Sequence, residues 1–191
     1  MKKILISGSL GLTGRACVEH FTKKGWDVVG IDINARAHFF GTEEQKPDQG
    51  RYFAIDIRNE DDINILFDRE RFDAIIHCAS QPSHDYSTDH VIEDFTINAM
   101  GTVVLLEATR KYCPEATFVF CSTDKVYGEK MTCFLTEFTT RYSPSVPHRT
   151  EGFTEAIPLD MAGDRSFFGC SKLAADMYVQ QYGAKFGMKT A

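Results

Sequence analysis

The sequence has no block rich in lysine or arginine, no Cys-x-x-Cys pair, and no apolar stretch near the roughly twenty residues a membrane span requires. With 27 acidic against 21 basic side chains the formal net charge is −6, the wrong sign for a nucleic-acid partner. The six cysteines (17, 78, 113, 121, 133 and 170) carry no histidines at ligand spacing, so no metal centre is expected. Cys17, Cys78 and Cys121 fall inside apolar runs and read as small buried hydrophobes, which fits a reducing, cytoplasmic compartment. The opening Met-Lys-Lys-Ile-Leu-Ile-Ser-Gly lacks the long apolar region and small-residue cleavage site of a signal peptide. Internal repeats and low-complexity tracts are also missing. What is present is a chain of 191 residues, 43% hydrophobic, enough for one substantial core and one domain.

Short apolar runs alternate with helical periodicities along this chain, the pattern of a doubly wound α/β fold. Strands are predicted at Lys3–Ser7, Asp27–Asp32, Tyr52–Ile55, Asp73–Ala79 and Thr117–Ser122, each without polar–apolar alternation and so expected to be buried on both faces. Between the first two strands Leu10, Gly14, Cys17, Val18 and Phe21 recur at helical spacing, and Gly25 stops that helix. Asp61 or Asp62 is the expected cap of a second helix, followed by a long helix over 89–112 and a last one over 168–187. The segments 37–50 and 128–165 break the rhythm and read as surface excursions; long loops of this kind are commonly functional.

The chemistry-bearing motif is Gly8-Ser-Leu-Gly11-Leu-Thr-Gly14, placed between the first strand and the first helix. Glycines there let backbone approach a pyrophosphate, and the helix start offers amides and a positive dipole end. A glycine triplet alone is a common tight turn; its position after a strand gives it weight. Asp32 closes the second strand about 20 residues on, where a carboxylate binds an adenosine ribose 2′-hydroxyl and repels a 2′-phosphate. The cofactor expected from this pair of features is NAD rather than NADP.

Further runs carry a family resemblance. Asp56-Ile57-Arg58, His77-Cys78-Ala79-Ser80, Asn98 within Ile97-Asn-Ala-Met-Gly-Thr102, and Cys121-Ser-Thr-Asp-Lys-Val-Tyr-Gly128 occur in this order. Together with the glycine loop they resemble the extended short-chain dehydrogenase/reductases, the NAD-dependent epimerases and dehydratases of nucleotide sugars, over essentially the whole chain. Within that family the likeness leans to the CDP-paratose (tyvelose) 2-epimerase group, through Ser122–Gly128, Thr136-Glu137 with Thr140-Arg141-Tyr142, and Gly169-Cys-Ser-Lys172.

The resemblance implies a three-layer αβα Rossmann domain over 1–191 that ends where a sixth strand would start, before the C-terminal lobe that grips the substrate. It places Gly8, Leu10, Gly11, Leu12 and Gly14 on the phosphates, and Asp32 on the ribose. Asp56 and Ile57 fall beside the adenine, Ala79, Ser80 and Asn98 along the cofactor. By the same resemblance Thr123 orients the reacting hydroxyl of a CDP- or UDP-linked sugar. Lys172 holds the nicotinamide ribose and lowers the pKa of a neighbouring tyrosine. A homodimer through the helices at 89–112 and 168–187 is also implied.

One position departs from the family. Four residues before Lys172, where the pattern Tyr-x-x-x-Lys has its proton-transferring tyrosine, stands Phe168, preceded by Phe167. Phenylalanine keeps the ring and has no proton to exchange. Three accounts are open: an engineered exchange, a natural variant in which another group handles the proton, or a protein that binds a nucleotide without redox chemistry. Asp124, Cys170, His84 and Tyr142 are the candidate replacements. Asp124 is of most interest, because the dehydratases resemble this segment with an Asp-Glu pair and here Lys125 stands in place of the second carboxylate.

Overall fold

The computed structural model describes residues 1–35, 37, 41–43, 49–81, 83–128, 135–144 and 157–191. Eight strands occur among them: β1 (Lys3–Ser7), β2 (Asp27–Asp32), β3 (Arg51–Ala54), β4 (Ala74–His77), β5 (Thr117–Phe120), β6 (Leu135–Glu137), β7 (Tyr142–Pro144) and β8 (Lys189–Thr190). Six of these form a central sheet in the order β3-β2-β1-β4-β5-β8, every neighbouring pair parallel. The chain builds outward from β1 to β3, then returns to the other side of β1 with β4. The two strands whose connections run in opposite directions are therefore β1 and β4, and between their carboxyl ends an open parallel sheet binds its ligands. β8 pairs with β5 at Lys189↔Thr117, so the sheet holds two residues of a sixth strand beyond the five expected.

Among the described residues four longer helical stretches flank this sheet. α1 (Leu12–Lys23) follows β1, and α2 (Glu60–Glu70) leads into β4. The expected cap for α2 is Asp61 or Asp62; the observed cap is Asn59, whose side chain accepts from Asp62 N–H, with Glu60, Asp61 and Asp62 all inside the first turn. Asn59 is extended, as a cap must be, and the three carboxylates suit the positive helix end. The long helix over 89–112 is composite: α3 (Tyr86–Asp89) and α4 (Val91–Phe95) run into a π turn over Thr96–Met100 and then α5 (Gly101–Tyr112). The last helix, α6 (Phe167–Phe186), is capped by Ser166, which accepts from Gly169 N–H, and ends on Gly187 at φ 69°. Inside the segment expected to be a loop, β6 and β7 pair as a small antiparallel hairpin. Much of both expected excursions, 37–50 and 128–165, lies outside the described residues.

Burial corrects one expectation. β1 and β2 are buried on both faces, but β4 and β5 alternate between buried and more open residues, and β3 is largely exposed. The larger core joins Leu5, Ile75 and Phe118 to α2, α5 and α6 through Phe67, Leu105 and Ala175. The opposite face holds a small cluster of Ile4, Ile6, Val28 and Val18, with Val18 from α1. Among the described residues α1 supplies that face's helical cover, which leaves Ile76 and Val119 half-buried. Cys17, Cys78 and Cys121 share this thinner side and are likewise half-buried rather than fully inside; among the described cysteines Cys113 is the buried one, its sulfur accepting from Phe72 N–H at 3.2 Å. Among the described residues no helix is long and apolar enough to cross a membrane.

Candidate cofactor cleft and its family

Three glycines shape the turn out of β1. Gly8 sits at φ +67°, a left-handed conformation, and a Cβ there would meet Ala79 N at 2.6 Å. A Cβ on Gly14 would fall 2.0 Å from Gly8 O, so the first turn of α1 lies directly on the loop backbone. Gly11 is less constrained, with its nearest atom at 3.2 Å, and serves as the N-cap of α1 without a side chain to occupy the helix end. No acidic residue stands in the first turn of α1, which leaves its positive end unneutralised from within.

Asp32 at the end of β2 faces this loop. Its Oδ2 accepts from Leu10 N–H at 3.0 Å and its Oδ1 from Asn34 N–H at 2.8 Å. The carboxylate thus joins the glycine loop to the chain beyond β2, and each oxygen retains a lone pair for a hydroxyl. Asp56, also on the cleft, is gripped by Arg58 through Nε and Nη2. Burial raises the Asp56 pKa, but the Arg58 hydrogen bonds and charge bring it below the usual carboxylate value.

These elements enclose a cleft of about 810 Å³ at the carboxyl ends of β1, β2 and β4. Gly8, Leu10, Gly11, Leu12, Gly14, Asp32, Asp56, Ile57, Ala79 and Ser80, all singled out in the sequence, line it together. Asn98, Thr123, Asp124, Phe168 and Lys172 are not among its lining residues. Asn98 is buried: its Oδ1 accepts from Gln81 N–H at 2.9 Å and its Nδ2 donates to Asp94 and Ser171. It therefore bears on the cleft through Gln81, which does line it. Tyr86 and Glu93 also line the cleft, joined by a hydrogen bond of 2.7 Å from the Tyr86 hydroxyl to Glu93 Oε2. The sequence reading missed this pair; a tyrosine and a glutamate seven residues apart, two helical turns, were the available signal.

Beneath the cleft, His77 is fully buried in a directional chain of hydrogen bonds. Ala79 N–H donates to Ser7 Oγ at 3.2 Å, and Ser7 Oγ lies 2.6 Å from His77 Nδ1. On the other side His77 Nε2 is 2.9 Å from Thr102 Oγ1, whose own proton goes to Asn98 O at 2.6 Å. Since the Thr102 proton is committed, Nε2 must carry the hydrogen and Nδ1 must accept from Ser7. Burial, and then the Lys172 charge, push the His77 pKa down to about 3.

Lys172 comes from α6 and is also buried. Its Nζ donates to Cys121 O at 2.6 Å and lies 4.1 Å from the centre of the Phe120 ring. Burial lowers its pKa to about 8 against the charges of Cys121, Asp176, Cys78 and Asp94 that raise it. Thr123 caps the 3-10 turn Asp124–Tyr127, accepting from Lys125 N–H, and its hydroxyl donates to Asp124 Oδ1 at 3.1 Å. Phe168 opens α6 with its N–H on Ser87 Oγ at 3.2 Å. Of the candidate replacement bases, Cys170 is exposed, Tyr142 is 63% exposed on β7, and His84 pairs with Asp85 at 3.1 Å; none of them lines the cleft.

Residues 4–191 match the NAD dependent epimerase/dehydratase family. The chain belongs to that family. A relative, the CDP-paratose 2-epimerase of Salmonella typhi, is 33% identical over 190 residues, covering 98% of this chain and 55% of its own. The dTDP-glucose 4,6-dehydratase of Neisseria meningitidis serogroup B is 32% identical over 160 residues, covering 78% of this chain and 45% of its own. Among solved structures, the UDP-glucose 4-epimerase of Thermus thermophilus in complex with NAD superposes with a TM-score of 0.76 at 28% identity, covering 98% of this chain and 53% of that one. The chain spans about half the length of the curated relatives it matches. Family membership, the doubly wound parallel sheet and the family's NAD dependence agree with the sequence expectations.

Proposed function

We propose that this chain is the dinucleotide-binding part of an NAD-dependent nucleotide-sugar epimerase. The observation that carries the reading is the cleft itself, where the glycine loop, the α1 N-terminus and the Asp32 carboxylate converge at the carboxyl ends of β1 and β2. In this reading Gly8, Gly11 and Gly14 admit the pyrophosphate to the backbone amides, and the free lone pairs of Asp32 take the ribose hydroxyls. Asp56 and Ile57 flank the adenine, while Ala79 and Ser80 run beneath the nicotinamide end. Bound NAD supplies a hydride acceptor and donor, which suits transient oxidation of a sugar carbon to a ketone and its return on the opposite face. Thr123 orients the sugar hydroxyl, and the Lys172 ammonium contributes positive charge below the nicotinamide ribose. The sugar is CDP- or UDP-linked, after the chemistry named for the relatives, and the exposed Ile92, Phe95, Met177 and Tyr178 on α4 and α6 form the homodimer face.

Phe168 makes the test direct. Incubation with NAD and a panel of CDP-, UDP- and dTDP-sugars, followed for NADH absorbance and for sugar inversion, separates an epimerase from a protein that binds NAD without turning over. Phe168→Tyr supplies a phenol four residues before Lys172. A positioned acid–base group contributes about 10²–10⁴-fold, so this variant is expected to exceed the parent rate by that order. NAD binding with no turnover, in either protein, of a nucleotide sugar that calorimetry shows to bind would favour the pseudoenzyme reading. The dehydratase reading draws on the Thr123–Asp124 hydrogen bond and on Asp124 as acid. Asp124→Asn with undiminished turnover would eliminate it.

A further inference from the structure

The thinner face of the sheet brings together three thiols that are far apart in sequence. Cys78 and Cys121 each follow the last residue of their strand, one step beyond the paired His77 and Phe120, and Cys121 N–H donates to His77 O at 3.1 Å. Their sulfurs are 3.6 Å apart. Cys17, on α1, packs on the same face of the sheet.

We propose that Cys78 and Cys121 are a redox-active dithiol under the cofactor cleft, closed to a disulfide by hydroperoxides and reopened by thiols. Three observations meet here. First, neighbouring strands lie about 4.8 Å apart, inside the roughly 4.4–6.8 Å Cα separation that a disulfide tolerates, and both side chains already share a face. Second, Cys78 lines the cleft and Cys121, 3.6 Å away and like it only partly buried, stands just behind that lining, so a small oxidant entering the cleft comes beside the pair. Third, the Cys78 hydrogen bond and the Lys172 charge lower the Cys121 pKa, while the same hydrogen bond and burial raise that of Cys78. Cys121, whose carbonyl holds the Lys172 ammonium at 2.6 Å, is the attacking thiolate and Cys78 the resolving thiol.

The chemistry balances on the peroxide. The Cys121 thiolate attacks one peroxide oxygen, the O–O bond breaks, and the departing oxygen takes a proton and leaves as water or an alcohol. Cys121 is then a sulfenic acid. The Cys78 sulfur attacks the Cys121 sulfur, the S–O bond breaks, and the Cys78 proton leaves with the oxygen as water. Two thiols have lost two electrons and the peroxide has gained them.

Closure shortens the sulfur separation from 3.6 Å to about 2.05 Å, a displacement of roughly 1.5 Å. It is felt on both sides of the cleft. Cys121 O is the acceptor of the Lys172 ammonium. The Cys78–Ala79 backbone is the surface against which Gly8 packs without room for a Cβ. Oxidation is thus expected to weaken dinucleotide binding, a consequence that rests on the proposed reading of the cleft, whereas the crosslink does not.

The experiment uses the chain with Cys133 and Cys170 replaced by serine, treated with hydrogen peroxide and then with dithiothreitol. The proposal expects intact mass to show loss of two hydrogens, peptide mapping to find a Cys78–Cys121 link, and dithiothreitol to reverse it. Cys17→Ser should keep the link and Cys121→Ser should abolish it. Titration with NAD should show affinity about tenfold lower in the oxidised form, in the usual range of a coupling between sites. Stepwise oxygen addition without a crosslink, or a dominant Cys17–Cys78 link, would overturn the dithiol. A Cys78–Cys121 link in a protein whose reduced form does not bind NAD would overturn the reading of the cleft and leave the dithiol standing.

Discussion

Acidification should destabilise this protein through His77 before most of its carboxylates matter. The ring is held in one tautomer between Ser7 and Thr102, and a proton added at Nδ1 would face the Ser7 hydroxyl that now donates to it. Folded His77 takes up its proton only near pH 3, whereas an unperturbed histidine does so near 6.5. Between those values the unfolded chain binds more protons than the folded one, so stability falls as pH falls across the window. The slope is about 1.4 kcal/mol per pH unit well inside it, and the loss from pH 7 to pH 5 is about 2 kcal/mol. Other groups act in different ranges or with the other sign. Glu70 is held at about 2 by Arg51 and Lys3 and loses its contribution only as pH drops below its ordinary 4.5. Asp94, raised by burial, has the opposite slope, and the Cys121 thiolate reprotonates within the range. Urea denaturation of the Cys78→Ser/Cys121→Ser chain, with and without His77→Gln, isolates the histidine, because glutamine can still bridge Ser7 and Thr102 without titrating. The difference in unfolding free energy between the two chains should change by about 2 kcal/mol between pH 7 and 5. Parallel profiles would refute the reasoning, as would an NMR titration of the His77 ring with a midpoint near 6.5.

The cleft gives three further expectations. Gly14→Ala puts a methyl 2.0 Å from Gly8 O and should cost about 1–3 kcal/mol in thermal unfolding together with most NAD affinity, whereas Gly11→Ala, whose methyl stands 3.2 Å from Gly8 O and needs a shift of only a few tenths of an ångström, should be far milder. Asp32→Asn keeps the shape and removes the charge that takes the ribose hydroxyls and repels a 2′-phosphate. Calorimetric titration should show NAD affinity falling about tenfold or more and the preference over NADP narrowing. Lys172 has a lowered pKa, about 8, so its ammonium is lost as pH rises through that value. NAD affinity should decline between pH 7 and 9 along one ionisation, and Lys172→Met should bind weakly at every pH without that dependence.

What the sequence made legible was whatever rests on backbone conformation. Gly8, Gly11 and Gly14 announced a loop because a Cβ on Gly8, at φ +67°, would meet Ala79 N at 2.6 Å and one on Gly14 would meet Gly8 O at 2.0 Å. Asp32 was found by its distance from that loop, and the cleft gathers both with Asp56, Ile57, Ala79 and Ser80. Burial read less well. The apolar runs of β4 and β5 promised cover on both faces, but cover depends on which helices lie where, and α1 sits toward the β1–β2 side. Periodicity could not show the cap at Asn59 either, since Asn59, Asp61 and Asp62 are all good caps and the choice falls to whichever residue is left extended.

The polar interior was the least visible, for a physical reason. A buried histidine, asparagine or lysine is acceptable only when its partners are in place, and those partners come from other strands and helices. His77 needs Ser7 from β1 and Thr102 from α5; Lys172 needs the Cys121 carbonyl beyond β5; Asn98 needs Gln81, Asp94 and Ser171. Asn98 and Asp94 are an i,i+4 pair, but the other contacts, with the Ser171–Asp94 bond that completes them, span 17 to 77 positions, so no local spacing marks them. The cysteines follow the same logic. Read singly, Cys78 and Cys121 are small apolar fillers; 43 positions apart, they become a pair only when β4 and β5 lie in register. Parallel pairing thus creates, at the carboxyl ends of the strands, both the cleft that the glycine loop announced and the dithiol beneath it that no motif records.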